Sequence, residues 1–385
     1  MNKKILLPLL LLVTLLTGCW DVFEPQRMYY IEGVGIDFKD GQYEVYMQII
    51  DFTNIAKSEQ RNPEAVQAEV GHAKGKTIDE AIFKLYRSID QKVFWGHITY
   101  LIFSENALKK ENVNQMIDSF LRHKDTRYTI WVYCTQDSIE DILLTTPIIN
   151  KAITLSKLGN PLNSYEQESL VEPINLRRLI IGLNEPSHEV KIPLINLNKD
   201  WETSKKKSEA TELTGVGVIS KDAFKGYIQG DQIMGIQWMS DETVRGDLTI
   251  KLDEGDNDYL TISLKKIHVK INPIVTNKDN VKFNINIKFD VTIDGIQGKI
   301  TDQEIRKAVI DQVQKDVKST YEEALKKDMD IYRLSEELYR KNVKVWKKLE
   351  TNGKINLTED SIDTIEVNVN KINPGRKKFI ETIEQ

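Results

Sequence analysis

The stretch Phe283-Asn-Ile-Asn-Ile-Lys-Phe289, inside a longer run from Val281 to Ile293, decides the fold class of the C-terminal half. Apolar and polar residues alternate there with period two, and successive side chains of a strand point to opposite faces. One face is then Phe and Ile, the other Asn and Lys, which predicts an antiparallel sheet with one packed and one wet face. Downstream the period changes. Thr301-Asp-Gln-Glu304 is a capping-box pattern, and Ile305, Val309, Val313, Val317, Tyr321 and Leu325 follow as one long helix. Steps of four drift around a helix, so its buried stripe is oblique or it packs on two neighbours. Ile331, Leu334, Leu338, Val345 and Leu349 mark a further helix. Asn352-Gly353 turns the chain, and Ile362 to Ile372 alternates again as a last strand. Upstream, Leu213–Ser220, Gly226–Gln232, Leu248–Leu252 and Tyr259–Asn272 also suit strands.

The N-terminal half mixes the two periods. Ile31 to Phe38 and Tyr43 to Phe52 read as strands around a Lys39-Asp40-Gly41 hairpin turn. A polar stretch from Ala56 to Gly75 follows, read as a loop with one short element. Thr77-Ile-Asp-Glu80 then caps a helix carrying Ile78, Ala81, Ile82, Leu85 and Ile89. His97–Phe103 and Arg127–Cys134 are strands separated by a helical region with Val113, Met116, Ile117, Phe120 and Leu121 on one face. Ser138–Leu144 is a short helix. From Pro147 to Lys199 no period is clear, and Lys205-Lys206-Lys207 reads as a solvated linker. The class is α+β and multi-domain, with two to three mixed units whose C-terminal part is an antiparallel sheet packed with two long helices. The expected divisions are a signal peptide at 1–18, an N-terminal mixed domain at 19–200, a small β-rich region at 201–250 and a C-terminal α+β domain at 251–385.

The 385 residues carry 53 Lys+Arg against 58 Asp+Glu, a net charge of −5 that lacks the basic field of a nucleic-acid binder. The two cysteines, Cys19 and Cys134, exclude a disulfide framework. The five histidines never fall within five residues of one another, which argues against a structural zinc site. Cys134 lies in a strand and reads as a buried thiol. Lys3 and Lys4 precede an apolar run from Ile5 to Leu16, too short for a span needing about 20 residues, and the run ends in Leu16-Thr17-Gly18-Cys19. That ending resembles the bacterial lipobox. Cleavage before Cys19 would leave its thiol carrying diacylglycerol and its new amine an N-acyl chain. Each buried CH₂ contributes about 0.8 kcal/mol, so one chain holds marginally and two hold firmly.

No Gly-x-Ser-x-Gly, Walker A loop or His-Glu-x-x-His occurs, and Gly33-Val-Gly35 and Gly215-Val-Gly217 each lack the third glycine of a dinucleotide fingerprint. His97 reads as a structural, hydrogen-bonded histidine at a strand start. The residues by themselves therefore describe an anchored extracytoplasmic lipoprotein without a recognisable active site, cofactor or metal centre.

Several segments carry a family resemblance. Cys19-Trp20-Asp21 and Gly33-Val-Gly35-Ile36-Asp37 open it, and Phe94-Trp95-Gly96-His97 and Ser104-Glu105 continue it. Gly215-Val-Gly217-Val218 and Asp241-Glu-Thr-Val-Arg-Gly246 follow. Asp330-Ile-Tyr-Arg-Leu-Ser-Glu-Glu-Leu-Tyr-Arg340 and Val345-Trp346-Lys347 close it. Together, in this order, they resemble the Ger(x)C spore-germination lipoproteins, the C subunits of nutrient germinant receptors; Tyr332-Arg333-Leu334 and Glu24-Pro25 depart from the usual pattern. The resemblance implies a non-enzymatic subunit, lipid-anchored on the outer face of the spore inner membrane and assembled with two polytopic membrane subunits. The competing reading is a solute-binding lipoprotein of an ABC importer, which shares the anchor, the location and the size. For a docking surface the expected residues are Trp238, Glu242 and Arg245 around the Asp241–Gly246 segment. Lys344, Trp346 and Lys347 on the C-terminal helix complete the set. Both places set charge beside an aromatic anchor, a combination common at interface hot spots.

Overall fold

A computed structural model describes residues 27–50, 67–110, 113–122, 125–204, 207–221, 223–252, 259–277, 280–296, 300–374 and 383–384. The expected signal peptide, Cys19 and the Lys205-Lys206 pair lie outside them.

The first unit is built on a nine-stranded sheet. Its strands are β1 (Met28–Lys39), β2 (Gln42–Ile50), β3 (Ala68–Gly75), β4 (Lys92–Phe94), β5 (Tyr100–Ser104), β6 (Trp131–Thr135), β7 (Val190–Glu202), β8 (Lys207–Ile219) and β9 (Phe224–Gln229). They lie in the order β3-β2-β1-β5-β6-β7-β8-β9, with β4 beside β1. The centre, β1-β5-β6-β7, is parallel and the flanks are antiparallel hairpins. Asp40 and Gly41 turn β1 into β2 with φ of 52° and 77°, the left-handed pair that a two-residue hairpin requires. Gly33 on β1 is fixed by close approach, since a Cβ there would stand 2.2 Å from the Tyr100 ring.

Alternate side chains feed two cores. Leu101 and Phe103 of β5 join Val132 and Leu194 under helices α1 (Ile78–Tyr86), α2 (Glu105–Lys110), α3 (Val113–Leu121) and a later helix, Leu176–Asn184. Tyr100 and Ile102 face the other way, with Tyr46 and Tyr133, under α4 (Ile139–Leu144) and Leu158. Thr77 caps α1 through Glu80 N as expected, but the Glu80 carboxylate accepts from Lys76 N, so the box is not reciprocal. Beyond α4 the chain crosses this second face in short turns. In one of them Ile149 sits at φ 54°, ψ 30°, a left-handed conformation costing a β-branched residue about 1–2 kcal/mol.

Two sequence expectations change in this unit. The stretch Pro147–Lys199, without a clear period, contains α5 (Pro161–Tyr165), α6 (Leu176–Asn184) and most of β7. The apolar face of α6 is only three buried leucines long, Leu176, Leu179 and Leu183, and Pro193 interrupts the strand pattern of β7. The boundary expected at 200/201 falls within one sheet. β7 and β8 pair from Val190↔Ile219 to Glu202↔Lys207, so the strands at 207–229 belong to the first unit rather than to a separate middle region.

The second unit has the expected sheet, β10 (Gly246–Lys251), β11 (Tyr259–Asn277), β12 (Asn280–Ile296) and a late strand, Ile362–Asn373. Phe283, Ile285, Ile287 and Phe289 are buried while the intervening Asn284, Asn286 and Lys288 face outward. The late strand pairs with β12 in parallel. α7 (Met234–Trp238) precedes β10, and α8 (Asp302–Leu325), which Thr301 and Glu304 close with a full capping box, comes between β12 and the late strand. At about 100° per residue, steps of four drift roughly 40° each, and α8 uses the drift. Its first half bonds the late strand, Arg306 to Val369 O and Gln314 to Ile365 O, both at 2.7 Å. Its second half bonds the α7 segment, Thr320 to Gln232 O and Trp238 to Asp316. Ala324 takes the buried place that the pattern gave to Leu325.

The further helix expected from Ile331 to Leu349 is in fact two, α9 (Leu334–Lys341) and α10 (Val343–Leu349). Asn342, at φ −149° and ψ 71°, breaks the run and caps α10 through Val345 N. Arg333 enters α9 from the left-handed region, and the Asp330 carboxylate receives Leu334 N and Ser335 N at the new N-terminus.

Candidate functional site

Of the residues singled out from sequence, Glu242, Arg245 and Trp346 lie at the junction between the two units. Its centre is the loop from Glu185 to Glu189, which carries the first unit's chain from α6 into β7. Ser187, at φ 60°, accepts a hydrogen bond from Trp346 Nε1 at 2.7 Å and donates to Gly353 O at 2.6 Å. His188 Nδ1 meets Glu336 at 2.8 Å, Glu336 meets Arg340 at 2.5 Å, and Arg340 reaches Glu185 at 3.4 Å. Acidic and basic groups thus alternate across the junction. Burial pushes the Glu336 carboxyl up, but His188 and the charges of Arg333 and Arg340 outweigh it and hold the group below the usual carboxylate range.

The next residue, Glu189, is buried and ties four parts of the chain together. Its Oε1 faces Lys225 of β9 at 3.2 Å and Lys354 at 3.5 Å, and its Oε2 accepts Asp330 N at 2.7 Å. Both lysines also bond Asp328, at 2.8 and 2.6 Å, and its carbonyl oxygen at 2.7 Å. Burial raises the Asp330 carboxyl to about 6 against the helix N–H groups that favour its charge.

A second clasp lies at the other side. Ser169 Oγ accepts Val244 N and Arg245 N, both at 3.1 Å, while Ser169 N donates to Arg245 O at 2.9 Å. The Tyr165 hydroxyl donates to Glu242 O. Within the second unit, Thr243 Oγ1 donates to Gln237 O at 2.7 Å and Asp241 accepts Val269 N at 2.7 Å. Gly246 is forced by contact, since a Cβ would lie 2.3 Å from the Trp238 ring. The Asp241–Gly246 motif is therefore a corner that starts β10 and grips the first unit.

Between the two clasps runs a cleft of about 540 Å³ with Arg178, Lys191, Arg333, Glu172 and Glu242 on its walls. Arg178 is paired with Glu172. Lys191 donates to Ile331 O at 3.3 Å, and burial together with the Arg333 charge lowers its ammonium to about 8. Among the described residues no three His, Cys, Asp or Glu side chains converge as a metal site. His97 pairs with the buried Glu32 at 3.1 Å as a structural histidine. Cys134 is buried, with its thiol pushed up by desolvation.

The structure corrects part of the expected docking surface. Trp238 is fully buried and bonded to Asp316, so it is a core residue and not an exposed anchor. Trp346, 9% exposed, stacks edge-on with Tyr339 and bonds Ser187, which makes it an anchor within the chain. Arg245 is committed to Asp247 at 2.9 Å and Asp294 at 3.5 Å. Glu242, Lys344 and Lys347 remain exposed, Glu242 standing 4.0 Å from Arg178. The junction residues Ser169, His188 and Glu189 carry no sequence signal, because each lies in a short polar run within a stretch without period.

Comparison with known proteins covers nearly the whole chain. Residues 21–197 match the model of a spore germination protein N-terminal domain, and residues 214–375 match that of a spore germination B3/GerAC-like C-terminal domain. Spore germination protein KC of Bacillus subtilis (strain 168) is 25% identical over 377 residues, 91% of this chain and 90% of that protein. Spore germination protein B3 of the same organism is 23% identical over 278 residues, 71% and 70% of the two. The crystal structure of the GerBC protein superposes with a TM-score of 0.55 at 17% identity, covering 91% of this chain and 99% of that one.

Proposed function

Because this chain belongs to the spore germination GerAC family, we propose that it works as the lipid-anchored, non-enzymatic C subunit of a nutrient germinant receptor. The match of both family domains, in order, over 21–197 and 214–375 is the observation that carries this reading. In it, Cys19 holds two kinds of acyl chain, the folded body stands on the outer face of the spore inner membrane, and two polytopic subunits complete the receptor. Among the described residues no helix is long and apolar enough to cross a membrane, which fits a body held by lipid. A tethered body is confined to a thin shell above the bilayer, so weak contacts act at high effective concentration.

The junction supports a role in assembly. Its ion pairs and the Trp346–Ser187 hydrogen bond join the two units and hold α9 and α10 against the first. The outer face of α10 with Lys344 and Lys347, and Glu242 beside the cleft, are the docking positions proposed here. Arg245 is a poor probe, since reversing its charge would set a carboxylate against Asp247 and Asp294. The importer reading gains nothing from the topology. It would want a topological hinge between two α/β lobes, whereas the second unit's sheet is antiparallel apart from one pairing.

Metabolic labelling with a fatty acid tests the anchor. Wild type should carry label and Cys19→Ala should not; equal label in both would remove Cys19 from the account. Lys344→Glu with Lys347→Glu should lower co-purification with the membrane subunits while circular dichroism stays unchanged.

A further inference from the structure

Four of the large apolar side chains that the described residues leave exposed line a single groove on the first unit: Ile148, Ile149, Leu155 and Trp201. Their exposures are 42, 83, 63 and 48%. The groove, about 420 Å³, runs between the turns that follow α4 and the outer part of the β7–β8 hairpin. Ile149 is held outward by a left-handed backbone that disfavours a β-branched residue. Asn150, also left-handed, is pinned by Gln67, whose side-chain amide donates to its carbonyl at 3.1 Å and to its Oδ1 at 2.5 Å. Contiguous apolar exposure of this kind marks an interaction surface.

Two further observations select the occupant. The first is charge. Lys151 and Lys157 line the groove, and no acidic residue occurs between Asp141 and Glu166. Glu212, on the opposite wall, accepts a hydrogen bond from Asn198 at 2.9 Å. Apolar side chains and a tryptophan, with the two lysines on one wall, fit the interface of an anionic bilayer, where the lysine stems lie along the apolar surface and the ammonium groups meet headgroups. The second is position. Tyr30 pairs with Ile50, Ile50 with Ala68, and Gln67 bonds Asn150, so the groove's tip and the entry of the chain into β1 lie at one end of the sheet. Only eight residue-to-residue steps separate Cys19 from Arg27. At roughly 3.3–3.6 Å per residue they reach at most about 29 Å, which keeps this end of the unit close to any bilayer that holds Cys19.

We propose that the groove lined by Ile148, Ile149, Leu155 and Trp201 is a second membrane contact, which lays the first unit on an anionic phospholipid surface. The proposal rests on the lipid-anchor reading and extends it: the acyl chains supply proximity, and the groove supplies orientation. The body then stands on the membrane with its junction and α10 held at a fixed attitude toward neighbouring subunits.

The full chain, carrying Ile149→Cys labelled with an environment-sensitive nitrobenzoxadiazole, is incorporated into vesicles of phosphatidylcholine alone or mixed with phosphatidylglycerol. Phe83→Cys, exposed on α1 at the opposite face of the sheet, serves as control. Acylation of Cys19 is measured by mass spectrometry in the same preparation. The label at 149 should shift to the blue and resist dithionite in the anionic vesicles, and the label at 83 should do neither. Each lysine near an anionic surface contributes about a fivefold gain, so Lys151→Gln with Lys157→Gln should lower the ratio of shielded to exposed label about 25-fold at low salt. A label at 149 as wet as that at 83, on a chain whose Cys19 is acylated, overturns the second contact and leaves the anchor standing. Shielding at 149 with Cys19 unacylated overturns the anchor and leaves the contact. Shielding that appears only when membrane subunits are added overturns the lipid assignment and makes the groove a protein contact.

Discussion

Replacing Glu189 should loosen the junction far more than its single side chain suggests. Glu189 is 5% exposed and meets two ammonium groups and one backbone N–H. In Glu189→Ala the two lysines keep Asp328, so neither charge is orphaned and the cost stays below the range for a broken buried pair. Asp330 N, buried with no replacement acceptor, adds its own desolvation penalty. Together these come to about 3 kcal/mol. Glu189→Gln keeps an acceptor for Asp330 N and loses only the charge, at about 1.5 kcal/mol. Because two units need not unfold in one step, the readout is local: native-state hydrogen exchange in the peptide that spans Asp330 and α9. The amides of Leu334 and Ser335, which Asp330 receives, should exchange about 150-fold faster in the Ala variant and about 10-fold faster in the Gln variant. Wild-type exchange in Glu189→Ala, or equal acceleration in both variants, would refute the view that this carboxylate holds the junction.

Three other outcomes follow from single contacts. Gly246→Ala drives a methyl into the fully buried Trp238 ring and should cost about 1–3 kcal/mol, read as a lower thermal midpoint with the fold retained. Thr301→Ala removes the cap of α8 and should cost about 1 kcal/mol in denaturant unfolding. Lys191 titrates near 8 in the folded chain and near 10.5 unfolded, so the unfolded state binds more protons between those values and stability climbs with pH across that window. Lys191→Met should therefore be more stable than wild type at pH 7, by about 2 kcal/mol, and the gap should close as pH rises from 8 toward 10.5. A gap independent of pH would mean that the ammonium is not strained.

The elements that sequence revealed are those whose burial pattern is local. The Val281–Ile293 alternation and the Thr301–Glu304 cap are decided by neighbours two to four residues apart, and both stand as read. What sequence could not show depends on distant partners. β7 is short of apolar signal because Pro193 and its polar outer half occupy a strand that β8 completes over most of its length. The break at Asn342 follows from caps supplied by Asp330 and Asn342, which a helical spacing of leucines conceals. The junction itself was half legible. Trp238, Arg245 and Trp346 were singled out and all take part in it or beside it, but charge next to an aromatic ring reads the same whether the partner is another subunit or another part of the chain. Trp346 differs from an exposed anchor through the Tyr339 ring and through Ser187, 159 residues away.

Affinity purification of the full chain from fatty-acid-labelled membranes tests the central claim most directly. Wild type should carry label and bring down two polytopic subunits in constant proportion. Cys19→Ala should lose the label and most of both subunits while its circular dichroism is unchanged. A chain that carries no lipid, or that leaves the membrane without those subunits, would contradict the account.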